Sequence, residues 1–170
     1  MDAWAHYRHL ISLGREEFLA AAAPAALVRF RVPKPPPDDR DRTRLISQHA
    51  GDETMPIGTP LATELEMQIY PLVKKPNASF PDRITIGRIS NNDLVIEDAS
   101  VSRLHAYVRH LATDWVVADA GSKNGSWLRG DILEARRERP LTSQMVLRLG
   151  DVDLTFYLAP DLFAVLVGEA

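Results

Sequence analysis

Apolar and polar positions alternate in short runs along residues 62–158, and each run ends in turn residues. Leu65, Met67 and Ile69 alternate with Glu64, Glu66 and Gln68. Arg83-Ile84-Thr85-Ile86 alternates and stops at Gly87, and Leu94-Val95-Ile96 is a short apolar run. Ala106, Val108 and His110 alternate with Tyr107, Arg109 and Leu111; Trp115 to Ala118, Trp127-Leu128 and Ile132-Leu133 follow. Val146 to Leu149 and Asp153 to Leu158 flank Gly150-Asp151 as a terminal hairpin. A period of two puts successive side chains on opposite faces, so these runs read as half-buried strands. Short strands with turns at this density predict an all-β antiparallel sandwich over residues 61–160.

The rest of the chain follows other patterns. Over residues 1–32, Trp4, Tyr7, Leu10 and Ile11 recur at helical spacing, and Phe18, Leu19, Ala22 and Ala23 do so after Gly14. Helix is therefore expected through residue 30, with Pro24 as a break or as the first turn of a second short helix through Leu27 and Val28. This segment is either a helical hairpin that docks elsewhere or a cover for one side of the main domain. Residues 33–60 read as a flexible linker: Pro33, Pro35, Pro36 and Pro37 favour extended geometry, and Asp38 to Arg44 alternate charge without apolar content. Thr43, Thr54 and Thr59 in this tether are candidate phosphorylation targets. Residues 161–170 form a tail with helical potential after Pro160.

Composition changes this picture little. At 170 residues, 45% hydrophobic and 25% charged, the chain has the make-up of one soluble domain with an appendage. It has no cysteine, which excludes disulfides and thiolate chemistry. The net charge is −3, and residues 61–170 hold 12 Lys and Arg against 15 Asp and Glu. Nucleic-acid binding by neutralising many phosphates is therefore not expected. The apolar run from Phe18 to Val28 is too short for a membrane span and follows Glu16-Glu17, so no membrane partner is expected and the location is read as cytoplasmic.

Candidate chemistry gathers where the β-runs end. Ile86-Gly87-Arg88, Asn92-Asp93, Ser102-Arg103-Leu104-His105 and Asp119-Ala120-Gly121-Ser122-Lys123-Asn124-Gly125-Ser126 all fall at strand ends. A strand-rich scaffold presents Arg88, Ser102, Lys123 and Asn124 on loops. A guanidinium fork, a hydroxyl, an ammonium and a carboxamide together make a receptor for an anion on a peptide. Gly87 is expected to permit a backbone turn that a Cβ would block, and Gly125 to accept a positive φ in an Asn-Gly turn. A Ser102/His105 nucleophile pair lacks an acid partner and an oxyanion motif, so catalysis is not expected. The carboxylates Asp93, Glu97 and Asp98 lack calcium-loop spacing, and the histidines lack zinc spacing, so no metal and no cofactor is implied.

The order and separation of these motifs resemble the forkhead-associated (FHA) domain, over roughly residues 62–158. That resemblance implies a Greek-key β-sandwich that binds phosphothreonine peptides through its loops, acting as an adaptor downstream of a Ser/Thr kinase. The expected partner is a phosphothreonine-containing protein, a kinase or its substrate. It implies that Arg88 and Ser102 meet the phosphate and that Asn124 holds the ligand main chain. Lys123 and Arg103 would add positive charge, and His105 would brace the loops, as would Gly87 and Gly125. The family pattern often has threonine after Asn-Gly; Ser126 keeps the hydroxyl. The alternative is a phosphate-independent scaffold that docks partners through the sandwich or the N-terminal helix. Since every motif lies after residue 86, residues 61–170 are expected to suffice for recognition.

Overall fold

The computed structural model describes residues 3–31 and 66–169. The expected linker at 33–60, with Thr43, Thr54 and Thr59, lies outside the described residues. Residues 3–30 and 67–169 form one body.

Two sheets make the body. Strands β1 (Ala25–Arg31), β2 (Glu66–Pro71), β7 (Ser126–Leu128), β8 (Asp131–Ile132), β10 (Val146–Leu149) and β11 (Val152–Leu158) form the first, in the order β2-β1-β11-β10-β7-β8. Strands β3 (Ile84–Gly87), β4 (Leu94–Val95), β5 (Ala106–Leu111), β6 (Asp114–Asp119) and β9 (Arg139–Leu141) form the second, in the order β4-β3-β5-β6-β9. The ladder is mostly antiparallel, but β3 and β4 pair in parallel, Ile86 opposite Leu94. Inward side chains of both sheets, including Leu27, Ile86, Val108, Val117, Leu147, Leu154 and Phe156, fill one core and are fully buried.

Strand β1 corrects the helix expected through Val28 and the sandwich boundary expected at residue 61. Ala25 to Val28 are all fully buried. Ala25 and Leu27 face the sandwich core, whereas Ala26 and Val28 face the helices. A strand covered on both faces is apolar without alternation, and periodicity cannot distinguish it from a buried helix. Strand β1 pairs with β11 from Ala25 opposite Leu158 to Val28 opposite Thr155, and β2 flanks its other edge. The sandwich therefore begins before residue 61.

Three helices cover the outer face of β1, β2 and β11. Helix α1 (Ala3–Leu13) brings Tyr7 and Leu10, and α2 (Arg15–Ala21) brings Phe18. Helix α3 (Ala159–Val167) follows β11 directly and brings Leu162. These side chains pack with Ala26, Val28, Ile69 and Tyr157 as a second apolar layer. Of the two roles open to the N-terminal helices, the structure shows the cover. Among the described residues no helix is long and apolar enough to cross a membrane.

Candidate functional site: a cationic groove at the loop end

The loops after β3, β4 and β6 meet at one end of the sandwich because short backbone bonds stitch them together. The Arg88 amide donates to the Ser102 carbonyl at 3.0 Å, and the Ala120 amide to the His105 carbonyl at 2.9 Å. The Gly150 amide, in the β10–β11 turn, donates to the Gly125 carbonyl at 3.0 Å. A groove of about 600 Å³ opens between them. Arg88, Ser102, Arg103, Lys123 and Asn124 all line it, with Ser100 and Leu104.

Each polar group in the groove has a part already bonded and a part left for a ligand. Arg88 spends Nε on the Val101 carbonyl at 3.1 Å, which holds the guanidinium and leaves its two terminal amino groups without a protein acceptor among the described residues. The Ser102 Oγ accepts the Lys123 amide at 3.0 Å, so its own proton remains to donate. Asn124 donates one Nδ2 proton to the Ser100 carbonyl at 2.8 Å, leaving the other and Oδ1. Among the described residues, no carboxylate pairs with Arg88, Arg103 or Lys123. The groove is thus a cluster of three uncompensated cations.

His105 lies beneath the groove and is fully buried. Its Nδ1 accepts the Ser102 amide at 2.9 Å, and Nε2 lies 2.9 Å from the Gly125 carbonyl. An accepting Nδ1 and a carbonyl partner at Nε2 require the neutral ring with its proton on Nε2. Burial pushes the imidazole below its ordinary range, outweighing the Gly125 carbonyl and Asp119, which both pull it upward. A folded-state value below the unfolded one means that the unfolded chain binds more protons, so this contribution to stability is present above about pH 6.5 and declines below it. His105→Ala should cost about 1–3 kcal/mol in chemical denaturation, the range for stranding a buried donor and acceptor. The deficit of the variant relative to the parent should shrink as pH falls below about 6.5. A deficit that stays constant from pH 8 to 5 would contradict the neutral-ring assignment.

Two buried carboxylates, Asp119 and Asp93, build the loops. Asp119 is buried and accepts four bonds: the Ser122 and Ser126 hydroxyls, each at 2.6 Å, and the Gly121 and Ser122 amides at 2.8 and 2.9 Å. Burial pushes its carboxyl up, but these donors win and hold it below the usual range. The Ser126 hydroxyl is therefore a fully buried link from the Asn-Gly turn to β6. Asp93 is likewise buried, and burial is outweighed by Lys74, Thr85 and the Lys75 amide. Asn92 ties the β3–β4 loop to the Arg103 carbonyl at 2.6 Å.

The expected role of Gly87 is corrected. It has no positive φ; a Cβ there would collide with the Arg103 carbonyl and crowd Asn92 Nδ2, so its absence permits close loop packing. Gly125 does adopt φ +87°. A further support reaches the groove from β1, outside every motif. Arg29 Nη2 donates to Asp98 Oδ2 at 3.3 Å, and Asp98 Oδ1 accepts the Ser100 amide and hydroxyl at 3.1 and 2.8 Å. The Ser100 carbonyl then holds Asn124. No sequence pattern links residues 29 and 98, which lie in β1 of the first sheet and just after β4 of the second and meet only in the folded chain.

Comparison with known proteins agrees on the region of the groove. Residues 84–150 match the family model of the FHA domain. The chain is 33% identical over 69 residues, 40% of its length, to an FHA domain-containing protein of Arabidopsis thaliana, of which the match covers 18%. It is 32% identical over 74 residues, 44% of its length, to the transcriptional regulatory protein EmbR of Mycobacterium tuberculosis, of which the match covers 19%. A solved structure of that EmbR in complex with a low-affinity phosphopeptide superposes with a TM-score of 0.42 at 30% identity, over 45% of this chain and 20% of that one. The MEK1 FHA domain in complex with a HOP1 phosphothreonine peptide gives a TM-score of 0.48 at 20% identity, over 81% of this chain and 98% of that one. The chain thus spans less than a fifth of the length of the curated relatives it matches. The matched segment holds every groove residue named above, while β1, β2 and β11 complete the first sheet from outside it; over residues 84–150 this chain matches the FHA domain.

Proposed function

We propose that this chain is a non-catalytic, cytoplasmic adaptor whose groove binds a protein segment carrying phosphothreonine, downstream of a Ser/Thr kinase. The observation that carries this reading is the set of unspent donors in one groove. The Arg88 terminal amino groups, the Ser102 hydroxyl proton and Lys123 have no competing carboxylate among the described residues. A phosphate brings about −1.5 to −2 charge and three acceptor oxygens, which these donors match. The free amide edge of Asn124 suits the ligand main chain. A small contact patch and the cost of ordering a peptide put the affinity near micromolar, about −8 kcal/mol.

The test is calorimetry of the full chain with a degenerate phosphothreonine peptide pool and its unphosphorylated counterpart. Binding is expected only with the phosphate, and it should weaken between about pH 7 and 5 as the phosphate takes up its second proton. Equal heats from both pools would replace this reading with phosphate-independent docking.

A further inference from the structure

Strand β1 lies outside residues 84–150, yet one of its side chains reaches toward the groove. Ala25 and Leu27 point into the sandwich core, and the two-residue period of the strand puts Arg29 on the same inward face. Arginine is seldom buried without a partner. The Arg29 side chain is only 15% exposed and crosses from the first sheet to Asp98, just after β4 of the second. Its Nη2 meets Asp98 Oδ2 at 3.3 Å, while Nη1 is buried with no hydrogen-bond partner among the described residues. An unmet buried donor costs stability rather than adding it, so the fold alone is a poor reason for this residue.

Asp98 passes the contact on. Among the described residues Arg29 is its only cation. The Ser100 hydroxyl and amide, and after them Arg29, hold its carboxyl below the usual range against burial, so it is ionised near neutral pH. Asp98 Oδ1 takes the Ser100 amide and hydroxyl, and Ser100 Oγ in turn accepts the Asp151 amide at 2.9 Å. A Cβ on Gly150 would collide with the Ser100 carbonyl, so the β10–β11 turn closes on Ser100 from the other side. That carbonyl takes one Nδ2 proton of Asn124 and so fixes which edge of the carboxamide stays free.

We infer that Arg29 is a positioning residue for the ligand main chain: through Asp98 and Ser100 it sets the direction in which the Asn124 carboxamide faces, and it thereby makes β1 part of the recognition site. This rests on the phosphothreonine reading. Arg29 does not line the groove, so its effect on a ligand must pass through Asn124.

The test is a double-mutant cycle on the full chain, read by fluorescence anisotropy with the tightest-binding phosphothreonine peptide of the degenerate pool. Arg29→Gln should weaken binding about fivefold in the parent and less than about twofold in Asn124→Ala, because members of one hydrogen-bond network do not add. Arg29→Lys should restore most of the loss, since an ammonium can meet the single Asp98 oxygen. A second readout needs no ligand: the Asn124 side-chain amide resonances should shift in Arg29→Gln, while the Gly121 amide, held by Asp119, stays in place. Equal weakening in both backgrounds, as loss of a nearby charge or of general stability would give, overturns the inference and leaves phosphothreonine recognition standing. Parental affinity in Arg29→Gln, or Asn124 resonances that do not move, overturns it too. If Asn124→Ala binds too weakly to measure, the resonances and the lysine rescue decide. If Arg29→Gln does not melt cooperatively, Asp98→Asn, which keeps an oxygen for Ser100 and drops the ion pair, takes its place in the cycle. If no phosphothreonine peptide binds the parent chain, the phosphothreonine reading fails and this role falls with it.

Discussion

Arg88→Ala is expected to abolish phosphothreonine-peptide binding while leaving a folded protein. Hydrogen bonds to a charged group are worth about 1.5–3 kcal/mol each, and the two terminal amino groups of Arg88 are free to make a pair. Removing both should cost about 3–4 kcal/mol, a loss of a hundredfold or more that takes a micromolar ligand out of calorimetric range. Lys123 and Arg103 would retain only screened attraction. The fold should tolerate the change because Arg88 is exposed and, among the described residues, its side chain bonds only the Val101 carbonyl. Arg88→Lys should recover only part of the affinity, since an ammonium is a point charge and lacks the fork that both grips Val101 and faces the phosphate. Binding at parental strength by a folded Arg88→Ala protein would remove Arg88 as the anchor.

The fragment 61–170, which the motif positions alone make a sufficient recognition unit, is expected not to fold. It lacks β1, a strand hydrogen-bonded on both edges within the first sheet. Its loss takes Leu27 and Ala25 from the main core and Ala26 and Val28 from the layer under the helices. A single buried Leu→Ala change costs about 2–5 kcal/mol. Deleting four buried residues and two ladders exceeds the roughly 5–15 kcal/mol that holds a domain together. Circular dichroism of 61–170 should show no cooperative melt, while Leu27→Ala in the full chain should melt cooperatively at a lower temperature. A cooperative transition in the fragment, with dispersed amide resonances, would return the domain boundary to residue 61. The same truncation removes Arg29, the β1 side chain tied through Asp98 and Ser100 to Asn124.

What the sequence determined by itself was local. The alternating runs at 83–86, 106–111 and 153–158 and the glycine, asparagine and serine signals between them specify strands and turns within a few residues, so the sandwich and its loop residues were legible. Arg88, Ser102, Arg103, Lys123 and Asn124 could be named because each sits at a strand end, and they do line one groove. Tertiary structure decided whatever depends on contacts distant in sequence. Ala25 to Val28 form a strand because a sheet edge and two apolar layers meet them, which no local period encodes. The three residues Arg139–Leu141 become a strand only by lying along β6. Gly87 is required by the Arg103 carbonyl, sixteen positions along the chain, rather than by its own backbone angles. Asp119 becomes the organiser of the Lys123–Asn124 loop because burial raises the cost of its charge and four donors meet it there, an arrangement that exists only once the sheets have closed.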